Sequence, residues 1–129
     1  MFDSFFVVII PLPSKYLSPN RMTGSLGGRI AKSKAAKKQR SLVKSIIENM
    51  HCGYVPRVKR ISVKPIFFHQ THRKRDEDNA TGSLKSAYDG IVDSKLVKDD
   101  SPEYMVRENP EFRIDKHIPR VELRITILE

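Results

Sequence analysis

Residues 73–100 read RKRDEDNATGSLKSAYDGIVDSKLVKDD. Leu84, Ala87, Tyr88, Ile91 and Val92 recur at i, i+3, i+4, i+7 and i+8, the spacing of one apolar helix face, so a helix is expected from about Ser83 to Asp93. Ahead of it stand a basic triplet, Arg73-Lys74-Arg75, and two carboxylates one residue apart, Asp76 and Asp78. Behind it Asp99-Asp100-Ser101-Pro102 has the composition of a turn. What flanks this helix decides the fold class.

Upstream, Arg57 to His69 alternates, with Ile61, Val63 and Phe67 facing one way and Arg60, Ser62 and Lys64 the other, the pattern of a strand with one buried face. Pro65 suits an edge or a bulge better than a central strand, because it cannot donate to a ladder. Downstream, Tyr104-Met105-Val106 is a short strand candidate. Arg120 to Glu129 alternates cleanly, with Val121, Leu123, Ile125 and Ile127 opposite Glu122, Arg124 and Thr126. Near the start, Phe5 to Ile10 is apolar on both faces and predicts a strand buried in the middle of a sheet, ended by Pro11-Leu12-Pro13-Ser14. Ser14 to Gly28 has no period and reads as a long loop. A further helix is expected from an N-cap at Ser33 through Ala35, Ala36, Gln39, Leu42, Val43, Ile46, Ile47 and Met50, with Gly53 closing it. The order β-α-β-α-β-β over residues 1–129 predicts a single α+β domain, a mixed sheet with helices packed on it.

A chain of 129 residues, 39% hydrophobic and 30% charged, has the composition of one globular domain. Its 24 Lys+Arg against 15 Asp+Glu, net +9, point to a polyanionic partner: nucleic acid first, an anionic membrane surface second. No apolar run is long enough to span a bilayer, and Phe5–Ile10 lacks the basic flank of a secretory signal. The single cysteine, Cys52, excludes an internal disulfide, fits a reducing cytosol and is expected as a small core residue. His69 and His72, three apart on an extended segment, point to opposite faces and read as ordinary surface or interface histidines.

Basic residues cluster in two places besides the triplet. Lys32, Lys34, Lys37 and Lys38 fall in the first turns of the expected helix, at the positive end of its dipole, where an anion such as a phosphate backbone would relieve them; a solvated basic face is the alternative. Arg21 and Arg29 sit in the preceding loop, in reach of phosphate or simply solvated. Asp76 and Asp78, if the backbone stays extended past His69, project from one face and can hold a hard cation such as Mg²⁺, with Asp99 or Asp100 returning from the far end of the helix. The competing readings are that neighbouring Lys and Arg neutralise these acids, and that Asp78-Asn79 and Asp99-Asp100 merely cap turns.

At these residues the chain resembles the RusA-type Holliday junction resolvases, small basic dimeric Mg²⁺-dependent endonucleases of bacteria and their phages. The resemblance rests on Arg75-Asp76-Glu77-Asp78-Asn79, Lys85, Tyr88-Asp89-Gly90 and Asp99-Asp100, and extends to the N-terminal strand breaking into Pro13-Ser14, the basic first helix and the closing Val121–Ile127 strand. It implies metal and catalytic roles for Asp76, Asp78 and Asp100, Mg²⁺ with Mn²⁺ as an alternative, and a catalytic lysine. Counting forward with the best-known member's spacing puts that lysine on Gly82; counting back one helical turn from Asp89 puts it on Lys85, on the flank of the apolar stripe, with Asp89 holding the ammonium. The resemblance further implies phosphate contacts from Arg73, Lys74, Arg75 and the Lys32–Arg40 cluster, a homodimer on four-way DNA junctions, and a cytoplasmic location in a bacterial or phage-infected cell. Two rivals stand beside it: a non-catalytic nucleic-acid-binding protein, and a metal-dependent nuclease acting on flaps, single strands or RNA.

Overall fold

In chain order the computed structural model, which describes residues 4–18, 24–72 and 77–129 without the side chains of Glu77 and Asp78, runs β1 (Phe5–Ile10), a 3₁₀ turn (Lys15–Leu17), α1 (Leu26–Met50), β2 (Ile61–His69), α2 (Glu77–Gly82), α3 (Lys85–Asp93), β3 (Met105–Arg107), β4 (Glu111–Ile114) and β5 (Arg120–Ile127). The five strands make one mixed sheet in the order β1-β5-β2-β3, with β4 also paired to β2. β5 is antiparallel to both β1 and β2; β3 and β4 run parallel to β2. The expected α+β class, with helices on a mixed sheet, holds; α2 and β4 are additions to the expected order.

One face of the sheet is the core. Phe6, Val8 and Ile10 of β1, Ile61, Val63 and Phe67 of β2, and Val121, Leu123 and Ile125 of β5 all point to it. Val43 and Ile47 of α1 and Leu84, Ala87, Tyr88 and Ile91 of the α3 segment pack on them. α1 and α3 touch closely at Gly90, where an added Cβ would collide with the Arg40 carbonyl and come within 2.9 Å of Val43 Cβ. Gly90 therefore sets the spacing of the two helices.

The expected strand positions of β1 and β2 are exchanged. β1 lies at the edge, and its outward residues Phe5 and Ile9 are 48% and 53% exposed. β2 is the central strand, and Ser62, Ile66 and Phe68 on its second face are buried as well. Pro65 is compatible with that place because of what lies beside it. Ile61 donates its N–H to Tyr104 and Val63 accepts from Glu108, so by alternation the missing donor of Pro65 faces the interval between β3 and β4, where no ladder partner is required.

α1 begins well before the expected Ser33. Its N-cap is Ser25, whose Oγ accepts the Gly28 N–H at 3.0 Å. Gly27 and Gly28 suggested loop, yet glycine costs a helix only about 1 kcal/mol per residue, which a cap and tertiary packing can offset. Lys32, Lys34, Lys37 and Lys38 consequently lie past the first turn, and the dipole gives no reason for an anion beside them. The C-terminus closes as expected: Gly53, at φ +83°, donates to the Glu48 carbonyl at 2.8 Å. Cys52 is a correction. It is exposed, held at φ 53° in this turn rather than in the core.

Candidate active site

α1 and the α2–α3 segment form the two walls of an open groove of about 740 Å³. Lys32, Lys37 and Arg40 reach it from α1, one helical turn or so apart and thus on one side of the helix. Lys85 and Asp89 reach it from α3, also one turn apart. Asp100 and Arg107 complete the lining, brought in by the turn after α3 and by β3. Thr81 and Gly82, the last residues of α2, line the same groove, so the helix whose backbone carries Asp78 runs into it.

Two contacts fix the walls. Gln39 Nε2 donates to the Ser83 carbonyl at 3.3 Å, tying α1 to the α2–α3 junction. At the other end Arg40 grips Asp93 through two guanidinium nitrogens. That bidentate pair holds the Asp93 carboxyl below its ordinary range and raises the Arg40 guanidinium, with Asp89 adding a smaller pull. Arg107 stands 5.3 Å from the centroid of the buried Tyr88 ring, a cation–π contact that holds it beside α3. Burial pushes the Tyr88 hydroxyl up to about 12.

Of the expected site residues, Lys85 and Asp100 share this groove with Lys37. Asp99 does not line it: its Oδ1 accepts the Asp100 N–H at 2.8 Å, which leaves Asp100 as the acid of this pair that faces the groove. Asp89 does, but no ion pair joins it to Lys85 among the described residues. Lys34 and Arg29 are exposed on α1 away from the groove lining, and Lys38 lines a different hollow, beside Ile10 and Leu42. Arg21, Arg73, Lys74, Arg75 and Asp76 lie outside the described residues, as does the side chain of Asp78. The extended backbone expected through Asp78 is corrected: α2 starts at Glu77, because Asn79 to Gly82 close a helical turn on to Ser83. The expected pairing of Asp76 with Asp78 on one face lies outside the described residues.

Arg107 escaped the sequence reading. It lies in a short strand far along the chain, and only the parallel pairing of β3 with β2 carries it to the groove. Asn79 did carry a signal, as the last residue of the Arg75–Asn79 motif; its Oδ1 accepts from Ser18 Oγ at 2.6 Å, pinning the loop after β1 to α2. Among the described residues no three His, Cys, Asp or Glu side chains come together as a metal site. No helix among the described residues is long and apolar enough to cross a membrane. No protein-family model matches the chain, and no curated protein matches it.

Proposed function

We propose that this chain is a Mg²⁺-dependent endonuclease of the RusA-type resolvase kind, cutting backbone phosphodiesters of branched DNA, four-way junctions above all. One observation carries the reading: Lys85 and Asp100, singled out in the sequence for catalysis, line one groove together with Lys32, Lys37, Arg40 and Arg107. A phosphate backbone is the partner such a groove suits, since cations along a cleft draw in and hold a polyanion. A carboxylate beside phosphates would weaken a protein that only bound them, which favours catalysis over simple binding.

The donor chemistry fits a hard divalent ion. Asp100 offers carboxylate oxygens to the groove and has no cation partner within ion-pair distance among the described residues. Asp100, with Asp76 and Asp78, would hold Mg²⁺ (Mn²⁺ in its place), which supplies Lewis acidity and lowers the pKa of water when bound. From the groove lining, the Lys85 ammonium would meet charge developing on the scissile phosphate. Lys32, Lys37 and Arg107 position the backbone on either side, and Arg73, Lys74 and Arg75 extend that grip. Paired cuts in a two-fold junction call for a homodimer, since each subunit supplies one groove; a cytoplasmic setting follows from the same reading.

The test incubates purified protein with a labelled four-way junction and a matched linear duplex, each with Mg²⁺ and with excess EDTA. Cleavage of the junction alone, in symmetric pairs and only with the metal, is the expected result. Undiminished cutting in EDTA overturns the metal role, and equal cutting of the duplex overturns the structure preference. Asp100→Asn should lose cleavage yet keep junction binding, because binding rests on the cations; loss of both in a folded protein makes Asp100 a structural cap instead.

A further inference from the structure

A smaller hollow, of about 260 Å³, adjoins the basic groove at Ser83, which lines both. Its back wall is aromatic. Phe67 and His69 are two apart on β2, hence on the same face, and their rings stack at 6.0 Å with planes 9° apart. Phe112 of β4 pairs with Phe67 in the parallel ladder and lies 5.4 Å from the Phe67 ring and 6.2 Å from that of His69. Phe67 is 3% exposed and forms the floor, while His69 and Phe112 are half-buried and open to the hollow. The opposite wall is the loop after β1, including Ser14 and Lys15, held to α2 through Ser18 and Asn79.

Three properties narrow what this hollow can take. Its volume falls just below the roughly 300–1,000 Å³ of pockets for drug-sized ligands, which leaves room for one planar ring system. An aromatic wall suits a flat heterocycle that stacks on it, and Ser14, Ser18, Asn79 and Ser83, hydrogen-bonded within the protein, fix the shape of the rim. Lys15, exposed on the lining, supplies a cation for an anion attached to that ring. A nucleotide combines all three, and the groove that would hold its neighbours along a strand begins at the shared Ser83.

We propose that the Phe67–His69–Phe112 hollow captures one unpaired nucleobase from a DNA strand lying in the basic groove. This inference rests on the reading of the groove as a DNA site and deepens it. It supplies a source of preference for branched or gapped DNA that the groove alone lacks: a base next to a gap is unpaired, and a pair at an open branch has lost a stacking neighbour, so either enters at lower cost than a base extruded from a continuous duplex.

The experiment is a coupling measurement with Asp100→Asn protein, which should bind without cutting. Four-way junctions carrying a single abasic nucleotide, scanned through the positions flanking the branch, are titrated against this protein and against the same protein bearing Phe112→Leu or His69→Gln. Phe112→Leu keeps the apolar bulk and removes the ring; His69→Gln alters a half-buried residue at the rim and keeps the floor intact. One abasic position should weaken binding on the order of tenfold, the size of one base–aromatic stack. Each substitution should weaken binding of the intact junction and abolish the further loss at that same position, a non-additivity that a merely structural role does not produce. The inference is overturned if no abasic position matters while the intact junction binds normally, or if the variants keep the full abasic penalty. Failure of the parent protein to bind any junction overturns the groove reading first, and this one with it.

Discussion

The outer face of the sheet and the groove between α1 and α3 both carry cations, and they treat them in opposite ways. On the sheet, Arg120 donates to Asp115 and to Glu122, and its guanidinium lies 3.9 Å from the centroid of the Phe68 ring. Arg124 shares the same Glu122. The Ile118 amide, Arg120 and the His117 amide together bring the Asp115 carboxyl down to about 2. Burial pushes Glu122 up, but bonds from Arg120 and Arg124 outweigh it and leave its carboxyl below the ordinary range. In the groove, Lys32, Lys37, Lys85 and Arg107 have no carboxylate within ion-pair distance among the described residues, although Asp89 and Asp100 line the same cleft. Charges answered within the protein hold the sheet's surface in place. Charges left for solvent are free to exchange counterions for a phosphate backbone.

The largest way to break this contrast is at Lys85. Lys85→Ala should slow cleavage of bound junction by on the order of 10²–10³, the usual cost of removing a group that meets transition-state charge. Lys95→Ala, outside the groove, should leave the rate within a few-fold. Single-turnover rates at saturating protein decide it, and a near-normal rate for Lys85→Ala removes that residue from the chemistry. A smaller effect is expected on binding. The double variant Lys32→Ala/Lys37→Ala should flatten the dependence of log K on log salt by about 0.9 for each phosphate that these lysines neutralise. Arg124→Ala should leave that slope unchanged, and an equal effect from both would erase the distinction between groove and sheet.

The smallest effect belongs to the sheet, and it is one of stability. Asp115 is lowered in the folded protein from 3.8 to about 2, so its ionised form is favoured by folding. That contribution is fully present above the unfolded value and is lost as pH falls from near 3.8 through about 2. Asp115→Asn should therefore lower Tm at neutral pH, with the gap from the parent closing across that acid window and junction cleavage unchanged. A gap that persists unchanged at pH 2 would show the loss to be one of packing rather than charge.

Periodicity found what depends on neighbours along the chain. Leu84 to Val92 announced α3, and Val121 to Ile127 announced β5, because each buries one regular face. It misjudged what depends on partners far away. Phe5 to Ile10 is apolar throughout, yet the strand lies at the edge; Ile61 to His69 alternates, yet is buried on both faces. The second face of β2 is covered by long side chains such as Arg120, which conceal apolar surface while remaining polar at the tip. Lys85 and Asp100 were singled out through the resemblance, and α3 with its closing turn carries both to one groove. Arg107 was not, since its position depends on a parallel pairing that no local pattern announces.

The place of β5 has a consequence for how the chain comes together. It is the last strand in sequence but lies between β1 and β2, with Phe5 opposite Thr126 on one side and Ile61 opposite Ile127 on the other. While the chain is being synthesised, β1 and β2 emerge with an empty slot between them, and the sheet beneath α1 and α3 stays incomplete until β5 arrives. Such long-range closure is slow and leaves strand edges bare in the meantime. It also orders events: the two groove walls acquire their common support only once β5 is in place. A partly made chain, basic and surrounded by ribosomal RNA, carries the lysines of the groove without the groove itself.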